Sequence, residues 1–367
     1  MTAHRHLEEA LEEARKGSGL TSPNPMVGAV LVKDGQVVGR GHHRWEGKRH
    51  AEIVALEEAA DLARGATLYI NLEPCCHEGR TGPCTQALIQ AGIVRVVAAM
   101  EDPNPLVAGL GFAQLRQAGV AVEIDPQYTA AAEALNQPFV HFMRTGRPLV
   151  TLKSALTLDG KIAAPEDNRG WITSERARAH VQLLRHATDA IVTGIGTLLA
   201  DDCLLSDRSR LPRHRPLLRV ILDSQLRTPL QSRMVESCND DVLVVTTSAA
   251  SPERRRALED RGVRVAIFDG ALGRADFGLL VQHLAGEKYL SLMIEAGSKV
   301  NWAALESGYV DKIFFYYAPK ILGGMQSLPV AGGTGRLRRS DALQFERVSL
   351  HQIPPDEYAV EAWLVKS

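Results

Sequence analysis

Hydrophobic and polar positions alternate in two ways along the first 145 residues of the chain. Short apolar runs predict strands at Met26–Val32, Gln36–Gly41, Thr67–Leu72, Ile93–Ala99 and Val120–Ile124. Helical spacing of apolar residues predicts helices at His4–Lys16, His50–Ala63 and Thr85–Gln90. Asp34-Gly35, between the first two strands, favours a hairpin turn. Strands that alternate with helices indicate a layered α/β domain.

A short polar segment, Arg144–Pro148, separates this pattern from a second α/β alternation. We therefore predict two domains, at residues 1–145 and 146–367. Strands of the second domain are predicted at Leu149–Ser154, Ala190–Gly194, Leu218–Leu222, Val242–Thr246, Val263–Phe268 and Leu290–Glu295. Its helices are predicted at Ser174–His186, Pro252–Arg261, Phe277–Ala285 and Val300–Ser307. Three last apolar runs without helices between them predict an antiparallel edge on a mostly parallel sheet, at Lys312–Ala318, Phe345–Gln352 and Tyr358–Val365.

Length and composition agree with two globular domains. The chain has 367 residues, of which 45% are hydrophobic and 23% are charged, and its formal net charge is −1. This near-neutral balance argues against a nucleic-acid partner, because such partners require a strongly basic face. A substrate with one phosphate remains compatible, since it needs only a local cluster of arginine or lysine.

The N-terminal segment and the cysteines indicate a cellular location. The first 17 residues are charged and lack the apolar core of a signal peptide. No apolar run reaches the length of about 18 residues that a membrane span needs. The five cysteines are odd in number, and Cys75 and Cys76 are adjacent, so a disulfide framework is disfavoured. We expect a cytoplasmic protein without a membrane partner, in which the clustered cysteines bind a metal.

The strongest chemical signal in the sequence is a set of zinc-ligand residues. His50-Ala51-Glu52 stands at a predicted helix start, and Glu73-Pro74-Cys75-Cys76-His77 and Pro83-Cys84 follow a strand. Catalytic zinc sites supply three protein ligands and leave the fourth position to water, and His50, Cys75 and Cys84 form such a set. Glu52 is then free to move a proton, as in zinc nucleobase deaminases.

Two features of this motif leave an alternative open. Eight residues separate Cys75 from Cys84, whereas the nucleobase deaminases have two residues between their cysteines. The longer loop can still close on one ion if Cys84 begins the next helix. A structural zinc site would need a fourth protein ligand, and Cys76 or His77 could supply it. Glu52 favours the catalytic interpretation, because a structural site has no use for it.

Several motifs, taken together, resemble one known family. The first half has TSPNPMVG from Thr21, HAEIVAL from His50 and LEPCCHEGRTGPC from Leu72. The second half has KSALTLDGKIA from Lys153, GWITS from Gly170, TGIGTLLADD from Thr193, Leu222-Asp223-Ser224 and Ile294-Glu295-Ala296-Gly297. In this order they resemble the bifunctional diaminohydroxyphosphoribosylaminopyrimidine deaminase / 5-amino-6-(5-phosphoribosylamino)uracil reductases of riboflavin biosynthesis. The resemblance covers most of the chain.

The resemblance implies a fold and two reactions. It implies a cytidine-deaminase-like three-layer α/β domain followed by a dihydrofolate-reductase-like α/β domain. The first would use Zn²⁺ to deaminate 2,5-diamino-6-(5-phosphoribosylamino)pyrimidin-4-one. The second would use NADPH to reduce the ribosyl side chain to ribityl. The family also suggests a homodimer or a tetramer.

The resemblance further implies residue roles. In the deaminase it implies the zinc ligands named above, Glu52 as proton shuttle, and Asn24 as a pyrimidine contact, although Asn24 could equally be a turn residue between two prolines. Its cofactor-binding positions in the reductase are Ala155, Trp171, Thr197, Asp201, Ser224, Gly297 and Ser298. Its substrate-binding positions there are Arg169, Arg185, Leu205, Arg208 and Glu295. The two arginines Arg185 and Arg208 suit a phosphate, because a guanidinium binds its oxygens bidentately.

The second domain lacks a Gly-x-Gly-x-x-Gly fingerprint, so an ordinary Rossmann fold is unsupported. Two other glycine segments follow predicted strands, Gly194–Thr197 and Ala296–Ser298. Glycine allows backbone N–H groups to approach a phosphate, and a helix N-terminus adds a favourable dipole. Lys153 and Asp201 are the candidates for proton delivery during reduction.

The sequence departs from the family pattern at four places. Gly82 and Cys203 each replace a proline, Ala296-Gly297-Ser298 replaces Gly-Gly-Pro, and Arg169 replaces a substrate-contacting serine. The last two changes affect the expected reductase site. Two other functions remain as rivals: a nucleic-acid base deaminase with an unrelated C-terminal domain, and a non-catalytic binding module built around zinc.

Overall fold

The computed structural model describes residues 2–43, 49–77, 82–105, 107–166 and 170–366. The chain forms two compact units, which comprise residues 1–147 with 212–215, and 148–211 with 216–367. Domain limits at 1–145 and 146–367 stay a prediction. Within the described ranges, no helix combines the length and the apolar character that crossing a membrane requires.

The first unit contains six helices and five strands among its described residues. The helices are α1 (Thr2–Arg15), α2 (Ala51–Ala59), α3 (Cys84–Gln90), α4 (Leu110–Gln117), α5 (Thr129–Leu135) and α6 (Gln137–Thr145). The strands are β1 (Gly28–Lys33), β2 (Gln36–His42), β3 (Thr67–Ile70), β4 (Arg95–Ala98) and β5 (Ala121–Ile124). The five strands form one sheet in the order β2-β1-β3-β4-β5.

Helices cover both faces of this sheet, which gives the three layers. On one face, Ala29 and Leu31 of β1 pack in a buried cluster with residues of α2, α3 and α4. On the other face lies α1, whose Leu7 and Ala10 are fully buried. β1 pairs antiparallel with β2 and β3, whereas β3, β4 and β5 are parallel. Parallel strands bring the loops that follow β3 and β4 to one edge of the sheet.

The second unit is built on a larger sheet. Its helices are α7 (Glu175–His186), α8 (Ile195–Asp201), α9 (Arg233–Glu236), α10 (Pro252–Glu259), α11 (Phe277–Gly286) and α12 (Ser298–Glu306). Its strands are β6 (Leu149–Thr157), β7 (Lys161–Ala163), β8 (Ala190–Gly194), β9 (Leu218–Leu222), β10 (Val242–Thr246), β11 (Arg264–Ile267), β12 (Ser291–Ile294), β13 (Lys312–Ala318), β14 (Leu328–Pro329), β15 (Phe345–Ile353) and β16 (Glu357–Leu364). Nine strands form the sheet, in the order β11-β10-β9-β8-β12-β6-β13-β16-β15.

Strand direction in the large sheet places one set of loops together. The seven strands from β11 to β13 run parallel, and β16 and β15 pair antiparallel at the end. The prediction of a mostly parallel sheet with an antiparallel edge is confirmed. Ligands of open parallel sheets bind at the carboxyl ends of the strands. The loops after β6, β8, β9 and β12 are therefore the places to look for a site.

The sequence pattern found most elements and missed several. β8, β9, β10 and β13 have the predicted bounds, and the Asp34-Gly35 hairpin is confirmed, with positive φ at both turn residues. Helices α4, α5, α6, α8 and α9 were not predicted. α8 begins directly at Ile195, inside the glycine segment Gly194–Thr197.

Gly41 allows α2 to lie directly on β2. A Cβ atom at Gly41 would lie 2.1 Å from the carbonyl oxygen of Ala51 and 2.7 Å from the nitrogen of Ala55. Any larger residue therefore has to push α2 away from the sheet. Because His50 and Glu52 stand at the start of α2, the same displacement would move both of them.

We predict that Gly41→Ala destabilises the protein by about 1–3 kcal/mol, the usual cost of overpacking a core, and lowers its zinc content. Urea unfolding and metal analysis measure the two effects. Gly82→Ala is the matched control, because, among the described residues other than its chain neighbours, no atom lies within 4 Å of the position of its Cβ. A Gly41→Ala protein as stable as the control would contradict the close-packing argument.

Candidate active sites

Three elements of the first unit bring the predicted metal ligands together. His50 immediately precedes α2, Cys75 lies in the loop after β3, and Cys84 is the first residue of α3. The Nδ1 atom of His50 lies 3.3 Å from the Sγ atom of Cys84 and 3.5 Å from that of Cys75. All three ligand atoms lie within 4.8 Å of one another.

This donor set fits zinc. Two sulfur atoms and one imidazole nitrogen are ligands that Zn²⁺ prefers, and three of them leave one position open for chemistry. The backbone N–H of Cys84 also donates to the Sγ atom of Cys75 at 3.4 Å. The hydrogen bond from the Cys84 thiol, together with those from His50 and this N–H group, lowers the pKa of Cys75 to about 4. A thiolate is the form that binds a metal.

Cys76 and His77 stand apart from this cluster. Among the described residues, the group that could hold a metal consists of His50, Cys75 and Cys84 alone. Cys76 is half-buried and burial raises the pKa of its thiol, while His77 is exposed. The four-ligand arrangement that a structural zinc site would need is therefore absent from the described part of this loop.

Glu52 lies beside the cluster without belonging to it. Its side chain is 3% exposed, on the first turn of α2, and its carboxylate interacts with the thiol of Cys84. Burial, reinforced by the negative charge on Cys75, raises the pKa of Glu52 to about 7. A carboxyl group with a pKa near neutrality can both accept and release a proton at physiological pH.

The structure adds His43, which we did not predict from the sequence. The Nε2 atom of His43 lies 3.2 Å from the amide nitrogen of Asn24, and its ring packs edge-on against His50, with ring centres 5.4 Å apart. Burial lowers the pKa of His43 to about 4, so its ring is neutral. Asn24 is also a turn residue, because its N–H donates to the carbonyl of Thr21 at 2.7 Å.

Glu73 is the second residue that we missed. Its buried carboxylate accepts hydrogen bonds from four backbone N–H groups, at 2.8–3.2 Å, those of Asp102, Gly109, Gly111 and Phe112. Three of the donors lie at the N-terminus of α4, where a negative charge is stabilised by the helix dipole. Since Glu73 is two residues before Cys75, this contact fixes the metal-ligand loop against α4.

In the second unit, Glu295 is the centre of a buried ion-pair network. It follows β12, and its carboxylate accepts two hydrogen bonds from Arg185, at 2.8 and 2.9 Å, and one from Lys153 at 3.1 Å. Burial alone would raise the pKa of Glu295, but the charges of Lys153 and Arg185 outweigh it and hold the pKa at about 2. Lys153, Arg185 and Glu295 therefore lie together at the carboxyl end of β12, where it meets the middle of β6 and the end of α7.

Arg185 and Arg208 differ in how they are engaged. Arg185 is buried, and besides Glu295 it donates to the carbonyl of Ser206 at 3.1 Å. Arg208, two residues after Ser206 in the chain, is exposed. Leu205 is buried with a φ of +48°. A role for all three in substrate binding stays a prediction.

The two glycine segments meet where β8 and β12 end. A Cβ atom at Gly194 would lie 2.7 Å from a methyl group of Val300, and one at Gly297 would lie 3.5 Å from the Oγ1 atom of Thr197. Gly297 caps α12, and the hydroxyl of the next residue, Ser298, is buried with no partner in the described part of the chain. A buried unpaired hydroxyl at a helix N-terminus suits a phosphate oxygen.

The remaining predicted cofactor residues are spread along the same edge. Ala155 lies on β6, and Asp201 ends α8 with an exposed side chain. The Oγ atom of Ser224 accepts a hydrogen bond from the N–H of Ala275 at 2.9 Å. Trp171 is 68% exposed, with the guanidinium of Arg178 4.9 Å from its ring centre. Arg169, predicted to contact the substrate, lies outside the described residues.

Fold and site together define a class of protein: a zinc-type α/β deaminase unit joined to a second α/β unit, in which two glycine segments meet at the carboxyl ends of parallel strands. Residues 1–100 match the cytidine and deoxycytidylate deaminase zinc-binding region. Residues 148–357 match the RibD C-terminal domain. The chain belongs to the RibD family of riboflavin biosynthesis, whose members are bifunctional deaminases and reductases. The cytidine-deaminase-like and dihydrofolate-reductase-like fold classes are thereby confirmed.

Relatives match over nearly the whole chain. Riboflavin biosynthesis protein RibD of Actinobacillus pleuropneumoniae is 41% identical over 97% of this chain and 94% of its own length. RibD of Escherichia coli is 40% identical over 96% of each chain. The solved structure of Acinetobacter baumannii RibD has a TM-score of 0.88 at 36% identity and covers 100% of this chain and 99% of its own. A diaminohydroxyphosphoribosylaminopyrimidine deaminase / 5-amino-6-(5-phosphoribosylamino)uracil reductase from Thermotoga maritima has a TM-score of 0.84 at 33% identity, with 99% of both chains covered.

We predict that Glu73→Gln destabilises the protein by about 2–3 kcal/mol. Glutamine replaces one acceptor oxygen with an NH₂ group, so some of the buried backbone N–H groups lose their acceptor. Zinc should also leave faster on dialysis against a chelator. Glu123→Gln, which removes only an exposed partner of Arg95, serves as the control. Equal unfolding free energies for the two variants would refute the anchoring role of Glu73.

Proposed function

We propose that the first unit deaminates 2,5-diamino-6-(5-phosphoribosylamino)pyrimidin-4-one and that the second reduces the ribosyl chain of the product to ribityl with NADPH. The observation that carries the first half is a buried glutamate, Glu52, which contacts the thiol of Cys84 in a three-ligand zinc cluster. The observation that carries the second half is the Lys153–Glu295–Arg185 network at the strand ends that meet the glycine turns. The family relationship supports the order of the two steps.

In the deaminase, His50, Cys75 and Cys84 would hold the zinc ion. When bound, zinc supplies Lewis-acid chemistry and brings the pKa of water toward neutrality. Glu52 accepts the proton of the attacking water and passes it to the departing amine, so that ammonia leaves and a carbonyl forms. Neutral His43, whose ring contacts that of His50, and Asn24 beside it would offer hydrogen-bonding groups to the pyrimidine ring.

In the reductase, Ala155, Trp171, Thr197, Asp201, Ser224, Gly297 and Ser298 would hold NADPH, which supplies the hydride. Lys153 delivers the proton to the sugar oxygen, while Glu295 fixes the position of its ammonium group. Asp201 is the other candidate donor. Arg208, with Arg185, Leu205, Glu295 and Arg169, would bind the phosphorylated sugar, since an exposed guanidinium suits a phosphate.

We further propose a cytoplasmic enzyme that forms a homodimer or a tetramer. In the described ranges all five cysteines carry free thiols, as expected in a reducing compartment. β15 is a sheet edge that exposes Val348 and Leu350, at 60% and 69%, and such edges favour pairing with a second chain. Light scattering of the purified protein tests the assembly.

We predict that Glu52→Gln keeps its zinc and loses deamination by roughly two to four orders of magnitude, the range that a positioned proton carrier contributes. The ligands survive this change, whereas the proton carrier does not. Ammonia release and metal analysis measure the two properties. Reduction of supplied deaminated substrate provides the internal control and should persist. Near-normal ammonia release would contradict the role of Glu52.

We predict a preference for NADPH over NADH of about ten- to hundredfold in binding, because one charged hydrogen bond to the 2′-phosphate contributes roughly 1.5–3 kcal/mol. Arg227, exposed after β9 and 3.7 Å from the carboxylate of Asp223, is the proposed partner. Arg227→Ala should raise the Michaelis constant for NADPH and spare that for NADH. Equal use of both nucleotides by the unaltered enzyme would contradict the cofactor assignment.

A further inference from the structure

Three hydrogen bonds join the C-terminal end of α7 to the segment Leu205–Ser209. The Oε1 atom of Gln182 accepts from the backbone N–H of Arg208 at 2.8 Å. The Nη1 atom of Arg185 donates to the carbonyl of Ser206 at 3.1 Å. The third contact joins two side chains, the Nδ1 atom of His186 and the Oδ2 atom of Asp207, at 2.9 Å. Three successive residues of the segment are thus bound to one helix.

The His186–Asp207 contact is the most enclosed of the three. The side chains are 4% and 11% exposed, so water competes little with their hydrogen bond. His186 is also the last residue of α7. The other carboxylate oxygen of Asp207 accepts from the N–H of Ser209 at 2.9 Å. Asp207 therefore forms hydrogen bonds both to α7 and to the turn that follows it in the chain.

The backbone of this segment does not hold its shape by itself. Leu205 has a φ of +48° and Arg210 a φ of +64°, conformations that are unfavourable for residues other than glycine. Such a conformation persists only where surrounding contacts enforce it. Burial of Leu205 fixes the backbone conformation at the start of the segment, and the hydrogen bonds of Asp207 fix it in the middle.

Arg208 has a fixed backbone and an unengaged side chain. Its N–H is bound by Gln182, and its neighbour Asp207 is bound by His186. The guanidinium is exposed, and it forms no hydrogen bond or ion pair within the ranges that the structure describes. A cation whose backbone is fixed in advance loses less conformational freedom when it binds an anion.

We propose that His186 and Asp207 are positioning residues for Arg208, and that their hydrogen bond sets the affinity of the reductase for the phosphate of its sugar substrate. The inference rests on the proposed function, in which Arg208 binds that phosphate. Neither residue touches the substrate. Their effect passes through the backbone of Arg208, so it should depend on the presence of the phosphate.

The test measures steady-state reduction by the full-length enzyme with 5-amino-6-(5-phosphoribosylamino)uracil and with the same compound lacking the phosphate. The variants are His186→Ala, His186→Asn, Asp207→Ala, Arg208→Ala and the double variant Asp207→Ala/Arg208→Ala. Asparagine at position 186 keeps an N–H donor near the place of Nδ1. Arg210→Ala is the matched control, since it removes a nearby exposed positive charge outside the three contacts.

We expect His186→Ala and Asp207→Ala to raise the KM for the phosphorylated substrate roughly five- to tenfold, with kcat and the KM for NADPH within about twofold of the unaltered enzyme. The KM for the substrate without phosphate should not change. His186→Asn should restore most of the affinity, and Arg210→Ala should behave as the unaltered enzyme. Asp207→Ala should add nothing to Arg208→Ala, because both act on one interaction.

Equal losses with both substrates, or additive losses in the double variant, would show a general structural role and overturn the inference. A normal KM in Asp207→Ala, together with a raised KM in Arg208→Ala, would overturn the positioning role alone. If Arg208→Ala itself binds the phosphorylated substrate normally, the assignment of Arg208 fails, and with it this part of the proposed function. If His186→Ala does not fold, Asp207→Ala and His186→Asn still decide the question.

Discussion

Each candidate site depends on a buried carboxylate that follows a parallel strand. A buried negative charge is costly unless hydrogen bonds or opposite charges compensate it. Glu73, after β3, is compensated by four backbone N–H groups, and it thereby fixes the metal-ligand loop against α4. Glu295, after β12, is compensated by Lys153 and Arg185, and it thereby brings β6, β12 and α7 to one point. The same requirement, met in two ways, organises both sites.

Compensation of Glu73 by N–H groups and of Glu295 by cations gives the two sites different electrostatic environments. Uncharged N–H groups compensate the carboxylate of Glu73, while burial raises the pKa of Glu52, beside the zinc ligands, to about 7. The cations around Glu295 instead give the second site a positive edge. A phosphorylated sugar and a dinucleotide phosphate are both favoured by such an edge. Zinc-assisted hydrolysis and hydride transfer therefore occupy environments of different charge.

The sequence predicted those parts of the fold that depend on local pattern. β8, β9 and β10 are mostly apolar runs, because both faces of a parallel sheet are buried, and their bounds were found to the residue. Helix α5 was missed because its sequence is mostly alanine, with Leu135 as its one large apolar residue. Helix α6 was missed although Phe139, Val140 and Met143 have helical spacing. α8 was missed because Gly196, in its first turn, has a low helix propensity, although burial of Ile195 and Leu198 stabilises the helix.

In the sites too, the sequence revealed what depends on local pattern and not what depends on contacts between distant residues. His50, Cys75 and Cys84 could be grouped in advance, because their residue types and spacing are themselves the signal of a metal centre. His43 and Glu73 could not, because their roles come from contacts with residues as far as 39 positions away. The ion pair between Arg185 and Glu295 spans 110 positions and was equally invisible, although both residues were assigned to the site. A charged residue after a buried strand, such as Glu73, was the one signal available.

Product analysis of a single reaction tests the account most directly. The purified protein is incubated with 2,5-diamino-6-(5-phosphoribosylamino)pyrimidin-4-one, with and without NADPH, and the products are identified by mass and chromatography. The account predicts ammonia and the deaminated ribosyl compound without NADPH, and the ribityl compound with it. An unchanged pyrimidine under both conditions, or reduction of the sugar without loss of the amine, would contradict it.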